Sequence, residues 1–290
     1  MMKKGIIMVA MLLATVSVSA QFYMSASGGY SIPSAGVKFG TETTPSGVKN
    51  TYGSYGEGLH TQLRGGYFFN DKFGVEVGLG YLYGADQTIL KVSGIPSQPE
   101  VDIKSRGRAY GASASFVYKF TNNIYGRFGA LIKVGGKTEA VGTLEGISLP
   151  AGAIPNLPIP TTLDVNFTQD YKGRLPLGFI GAIGYKYDVA SNVSLFAELE
   201  YMGISVTRDT SSIAEFSASL REVPGSSLSL EQVRGILAAG GNPLANSLYD
   251  NIEYVDELPL NNTDATKQLS QKVPYSSFGI NIGVTYTFGK

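Results

Sequence analysis

The stretch Tyr275–Lys290, YSSFGINIGVTYTFGK, decides the fold. Taken alternately, one set of its residues is Phe278, Ile280, Ile282, Val284, Tyr286 and Phe288, and the other is Ser277, Gly279, Asn281, Gly283, Thr285 and Thr287. Successive side chains of a strand point to opposite faces. The stretch therefore reads as a strand with one wholly apolar face and one face of small or polar groups. A single strand of this kind also fits a soluble sheet. Its repetition along the chain is what separates the two.

Seven further segments alternate with the same period: Phe22–Tyr30, Gly58–Asn70, Phe73–Tyr83, Gly107–Phe120, Ile124–Val134, Arg174–Tyr187 and Val193–Gly203. The third of all eight is typical, with Phe73, Val75, Val77, Leu79, Tyr81 and Tyr83 on one side. Most run about nine to fourteen residues, the length a tilted strand needs to cross a bilayer. Their opposite faces hold mainly Gly, Ser and Ala, with scattered ions. A soluble sheet would turn such a face to water and carry Lys and Glu on it. Small residues suit the crowded interior of a narrow barrel instead. Aromatic residues gather at the segment ends, as in the girdles of lipid-facing barrels.

The connections alternate in length. Asn70–Lys72, Thr121–Asn123 and Asp188–Asn192 are short and rich in turn formers, whereas Ser31–Glu57, Gly84–Arg106, Gly135–Gly173 and Ile204–Pro274 are long. Short turns on one rim and long loops on the other complete the pattern of an outer-membrane barrel. The expected fold is all-β: an eight-stranded, antiparallel, up-and-down transmembrane β-barrel. Pairing of the first strand with the last leaves no backbone unpaired in lipid. Both termini then fall on the short-turn, periplasmic side.

The start of the chain agrees with export. Lys3 and Lys4, the apolar run Gly5–Val16 and the small residues Val18-Ser19-Ala20 read as a cleaved signal peptide over residues 1–20, leaving 21–290 as the barrel domain. Loss of the two lysines from 23 basic residues leaves 21 against 23 acidic ones, a balance that points to no nucleic-acid partner. The chain has no Cys, which excludes disulfides, thiolate metal sites and lipid attachment through cysteine. With 37 Gly, 18 Tyr and 14 Phe it suits β architecture better than a helical bundle.

The alternating segments and the terminal FGINIGVTYTF resemble the small outer-membrane β-barrels of the OmpA/OmpX-like family. The resemblance implies a protein of the cell outer membrane in contact with lipid. It also implies that the terminal aromatic strand, here Tyr286 and Phe288, is the signal read by the barrel-assembly machinery. Phe288 is followed by Gly289 and Lys290, a departure from an aromatic last residue. Gln21 after the cleavage point resembles exported proteins of the Bacteroidetes type.

Function is expected in the long loops, which carry contacts on such scaffolds. Ile147–Thr161 has four prolines and no charge, and reads as an extended segment over the barrel rim. Ile204–Pro274 holds two capping boxes, Ser212–Glu215 and Ser229–Gln232, each opening a short helix. Asp250, Glu253, Asp256 and Glu257 match no calcium-loop spacing and read as a solvated acidic rim.

On the inward faces, Arg64, Arg127, Lys133 and Arg174 meet Glu76, Glu198 and Glu200. Unpaired charges in a narrow lumen are costly, so these seven are expected to form a buried ion-pair network. His60, the only histidine, also faces inward. No spacing joins it to a nucleophile and an acid, and the Gly-x-Gly pairs lie within strands rather than before a helix. The expectation is a non-enzymatic surface protein with no cofactor and no metal, acting in envelope integrity, adhesion or ligand binding through Gly135–Gly173 and Ile204–Pro274. A small pore or transport path for ions or hydrophobic solutes is one alternative. A lipid-modifying enzyme using His60 is another.

Overall fold

The computed structural model describes residues 21–34, 36–246 and 248–289. The export-signal reading of residues 1–20 lies outside the described residues. The described residues form sixteen strands. The first eight are β1 Gln21–Pro33, β2 Val37–Thr44, β3 Gly47–Gly53, β4 Gly58–Phe68, β5 Phe73–Gly84, β6 Gln87–Val92, β7 Glu100–Lys119 and β8 Ile124–Leu149. The others are β9 Thr161–Gly173, β10 Leu177–Asp188, β11 Val193–Gly203, β12 Ser205–Leu220, β13 Asn251–Val255, β14 Lys267–Leu269, β15 Lys272–Pro274 and β16 Ser277–Thr287.

Eight of these close a ring in the order β1-β4-β5-β7-β8-β10-β11-β16, every pairing antiparallel. The circle shuts between β16 and β1, from Tyr23 opposite Thr287 to Pro33 opposite Ser277. The eight alternating segments are the eight strands of this ring. The sixth begins at Leu177 rather than Arg174. Closure has a direct physical cause: an unpaired peptide group in hydrocarbon costs several kcal/mol, and a ring leaves none at an edge.

The apolar sets all face outward. Leu63, Leu79, Phe116, Phe128, Leu199 and Ile282 are each more than 60% exposed, a belt of greasy side chains around the ring. A belt this continuous is covered by lipid rather than water. Aromatic rings bound it at both ends. Phe22–Tyr67 and Phe73–Tyr118 lie 4.7 and 4.8 Å apart at the short-turn rim. Tyr81–Tyr110 and Tyr201–Phe278 lie 4.9 and 4.7 Å apart at the long-loop rim.

The long connections are largely strand. Beyond the ring, β7 and β8 stay paired from Tyr110 opposite Gly135 up to Glu100 opposite Glu145. A register shift next to Tyr110 marks the exit from the barrel. Above it β8 exchanges β10 for β9 as its second neighbour. The result is an extramembrane sheet in the order β14-β13-β12-β9-β8-β7-β6-β2-β3. It has its own core: Leu144, Leu163, Val165 and Leu220 pack with Val233 and Leu237 of helix α1 (Leu230–Ala239). The helix opens on the expected capping box, Ser229 with Gln232.

The other expected helix is absent: Ser212–Glu215 lies within β12, paired to β9. Two register shifts, at Arg208/Thr210 and Ile213/Glu215, reset the phase of this strand. The reset conceals a period of two, so the capping box was the louder local signal. A short helix is marginal by itself, and cross-strand pairing prevails over it. Ile147–Thr161 does not lie over the rim either. It forms the far tip of the β8–β9 hairpin, with Ile147 and Leu149 buried in the extramembrane core.

Candidate functional site

The lumen is organised by the residues that alternate with the apolar sets. Tyr23 of β1, Gln62 and Arg64 of β4, Glu76 of β5, Tyr125 and Arg127 of β8, and Glu198 and Glu200 of β11 all point inward because their neighbours in sequence point to lipid. Glycine makes the room. A Cβ at Gly78 would come within 3.2 Å of the Arg64 stem, so its absence lets that side chain cross the lumen.

The charged tips meet at mid-height. Arg64 Nη1 donates to both oxygens of Glu198, at 2.9 and 3.0 Å, and lies 3.6 Å from Glu76. Arg127 donates to Glu200, reaches Glu198 at 3.4 Å and Glu76 at 3.9 Å. Two guanidiniums face three carboxylates. The tyrosines supply further donors: Tyr23 to Glu76 at 3.0 Å and Tyr125 to Glu198 at 2.6 Å. Gln62 donates to both oxygens of Glu200, at 2.9 and 3.0 Å. The Arg64 guanidinium also lies 4.9 Å over the Phe196 ring. All five ionic side chains are buried, so this cluster joins four strands across the lumen in a medium where each charge needs its partner.

Two of the seven expected members stand apart. Arg174 precedes β10 and lies outside the ring, exposed, bonded to Asp256 at 2.7 Å and Asp209 at 3.4 Å. Its expected inward phase fails because the alternation of β10 begins only after Pro176. Lys133 does face the lumen, but higher up. Its Nζ donates to the Gly136 carbonyl at 3.2 Å and forms no ion pair with a carboxylate among the described residues.

Above the cluster, His60 lies between Ser31, whose Oγ is 3.1 Å from Nδ1, and Asn281, whose Oδ1 meets Nε2. Ser31 and Asn281 are wholly buried, at 0% exposure. A serine, a histidine and an amide in a row have the members of a nucleophilic triad. Here the hydroxyl faces no open space and, among the described residues, no carboxylate orients the ring. Tyr23, Tyr125, Ser31 and Asn281 were not singled out from the sequence. The signal was present, since each sits out of phase with the apolar set of its own strand.

Two of the loop acids are engaged locally. Asp256 pairs with Arg174, and Lys267 lies 3.9 Å from Glu253. No group of three or more potential ligands able to hold a metal occurs among the described residues.

A family model for the outer membrane protein beta-barrel domain matches residues 6–221, well over half of the chain. Among solved structures, a major outer membrane protein from Thermus thermophilus is similar over 93% of this chain and 100% of its own, at 14% identity and a TM-score of 0.38. The outer membrane protein OprG from Pseudomonas aeruginosa is similar over 94% of this chain and 97% of its own, at 11% identity and a TM-score of 0.39. Ail, the attachment invasion locus protein of Yersinia pestis, is similar at 11% identity and a TM-score of 0.27, over 93% and 97% of the two chains. No curated protein matches.

Proposed function

The chain belongs to the outer membrane protein β-barrel domain family, and we propose that within the outer membrane it acts as a closed pedestal for a rigid extracellular binding sheet. The observation that carries this reading is the extramembrane sheet. Two of its strands, β7 and β8, continue the barrel wall, and it buries a core of its own between β8, β9, β12 and helix α1. Loops that merely connect strands need no core. A sheet held this firmly presents a fixed surface, which lowers the ordering cost of binding a partner.

The pore alternative is opposed by the lumen. The ionic cluster fills mid-height, and Tyr55 and Tyr275 pack 5.6 Å apart near the long-loop rim, both buried. The non-enzymatic reading rests on His60, whose two ring nitrogens are taken up by buried Ser31 and Asn281.

The deletion that tests the proposal follows from the pairing. Thr207 lies opposite Lys272, so residues 208–271 can be replaced by an Asn-Gly turn without disturbing the ring. Cells displaying the full protein are expected to be retained on serum-protein-coated glass. Cells displaying the shortened form should wash off, although its barrel still resists unfolding in cold dodecyl sulfate. Equal retention of both, or steady porin-like conductance of the full protein in a planar bilayer, overturns the proposal.

A further inference from the structure

Between the ionic cluster and the tyrosine closure the lumen is hollow on one side. A chamber of about 80 Å³, partly open to its surroundings, lies against β5, β7 and β8. Its walls are apolar, formed by Leu82, Ala109, Leu131, Ile180 and Met202. One full positive charge lines it: Lys133, half-buried, its Nζ 6.0 Å from the Tyr275 ring.

The glycines that leave this space open are not there for lack of room. Many inward glycines of this barrel are sterically required; a Cβ at Gly129, for example, would fall 2.0 Å from the Ala114 carbonyl oxygen. Gly80 and Gly111 differ. A Cβ at Gly80 would meet nothing nearer than the Thr61 carbonyl oxygen at 3.4 Å, and one at Gly111 nothing nearer than the Ile132 carbonyl oxygen at 3.5 Å. Side chains would fit at both positions and would fill the chamber. Lys133 adds a second, independent feature: an ammonium at an apolar wall, donating to the Gly136 carbonyl and without a carboxylate partner among the described residues, leaves a positive charge free to meet an anion.

We propose that this chamber binds a single-chain amphipathic anion, with its alkyl tail along Leu82, Leu131 and Ile180 and its acidic headgroup on Lys133. The site lies within the ring and does not depend on the role given to the extracellular sheet.

The test uses the full protein in nanodiscs of zwitterionic phospholipid, dialysed against radiolabelled decanoate, with empty nanodiscs as the blank. One saturable site per chain is expected above the blank. Each methylene removed from the tail should weaken binding about fourfold. Lys133→Met keeps the aliphatic stem and removes the charge. It should weaken decanoate at least about tenfold and leave the uncharged decanol unchanged. Gly80→Leu and Gly111→Leu should abolish binding of both, whether or not the lysine variant folds. Absence of a saturable site, equal loss of decanoate and decanol in Lys133→Met, or undiminished binding in the two glycine variants overturns the proposal. The last result would place the ligand at the lipid-facing surface.

Discussion

Arg127 shows how a single side chain holds the lumen together. It reaches Glu76, Glu198 and Glu200 from β8, and its side chain is fully buried. Removing one member of such a cluster costs more than the pair contributes, because carboxylates are left buried and short of partners. Arg127→Ala is therefore expected to lower stability by about 3–5 kcal/mol. Arg127→Met combined with Glu200→Gln should recover part of that loss, since it removes the orphaned charge as well. Urea unfolding in phospholipid vesicles measures both. A double variant less stable than the single one would mean that the charges themselves, not their compensation, hold the site.

At the scale of elements, the extramembrane sheet is fastened where β9 begins and β12 ends. Glu222 accepts from the Thr161 hydroxyl at 2.5 Å, the Thr162 amide at 2.6 Å and the Thr162 hydroxyl at 2.9 Å. These donors, the Thr161 hydroxyl foremost, lower its pKa to about 2. Beside it, Arg221 donates to Asp164 at 2.7 and 2.8 Å, which holds that carboxyl below its usual range. A carboxylate depressed in the folded state stabilises fully above its ordinary value of 4.5 and loses that effect as pH falls towards its folded value. Amide protection at the joined ends of β9 and β12, corrected for the intrinsic exchange rate at each pH, should thus be flat from neutral pH to about 5, then fall relative to the barrel strands as pH falls towards 2. In Glu222→Gln this acid step should shrink, with the ends already looser at neutral pH. An acid step of unchanged size in that variant would assign the fastening to other groups.

For the molecule as a whole, the outward belt makes lipid the solvent. Leu63 sits midway along β4, opposite Leu79 and Ala26, and is 66% exposed. An arginine near the middle of a lipid-facing strand costs about 2–4 kcal/mol, falling towards the interfaces. Leu63→Arg should therefore destabilise the folded barrel in vesicles by that amount. The same substitution at Leu59, beside the long-loop rim, should cost clearly less. Equal costs at the two positions would contradict the assigned depth of the strands.

The membrane ring was determined by the sequence alone. Its strands alternate with an unbroken period of two, from Phe278–Phe288 back to Phe22, because each has lipid on one side and a narrow lumen on the other. That local rule also fixed the inward phase of Arg64, Glu76, Arg127, Glu198 and Glu200. Only the tertiary structure decided which charges meet, since a contact across the lumen depends on register and height as well as phase. Thus Lys133 shares the phase but lies too high, and Arg174 falls before its strand begins. The extramembrane sheet was hidden for a related reason. Register shifts in β12 break its period, and its strands choose partners far along the chain, so a capping box at Ser212 outweighed a pairing with β9 that no local pattern announces. The chamber beside Gly80 and Gly111 belongs to the same class: a void is a property of side chains brought from several strands, and no single stretch of sequence contains it.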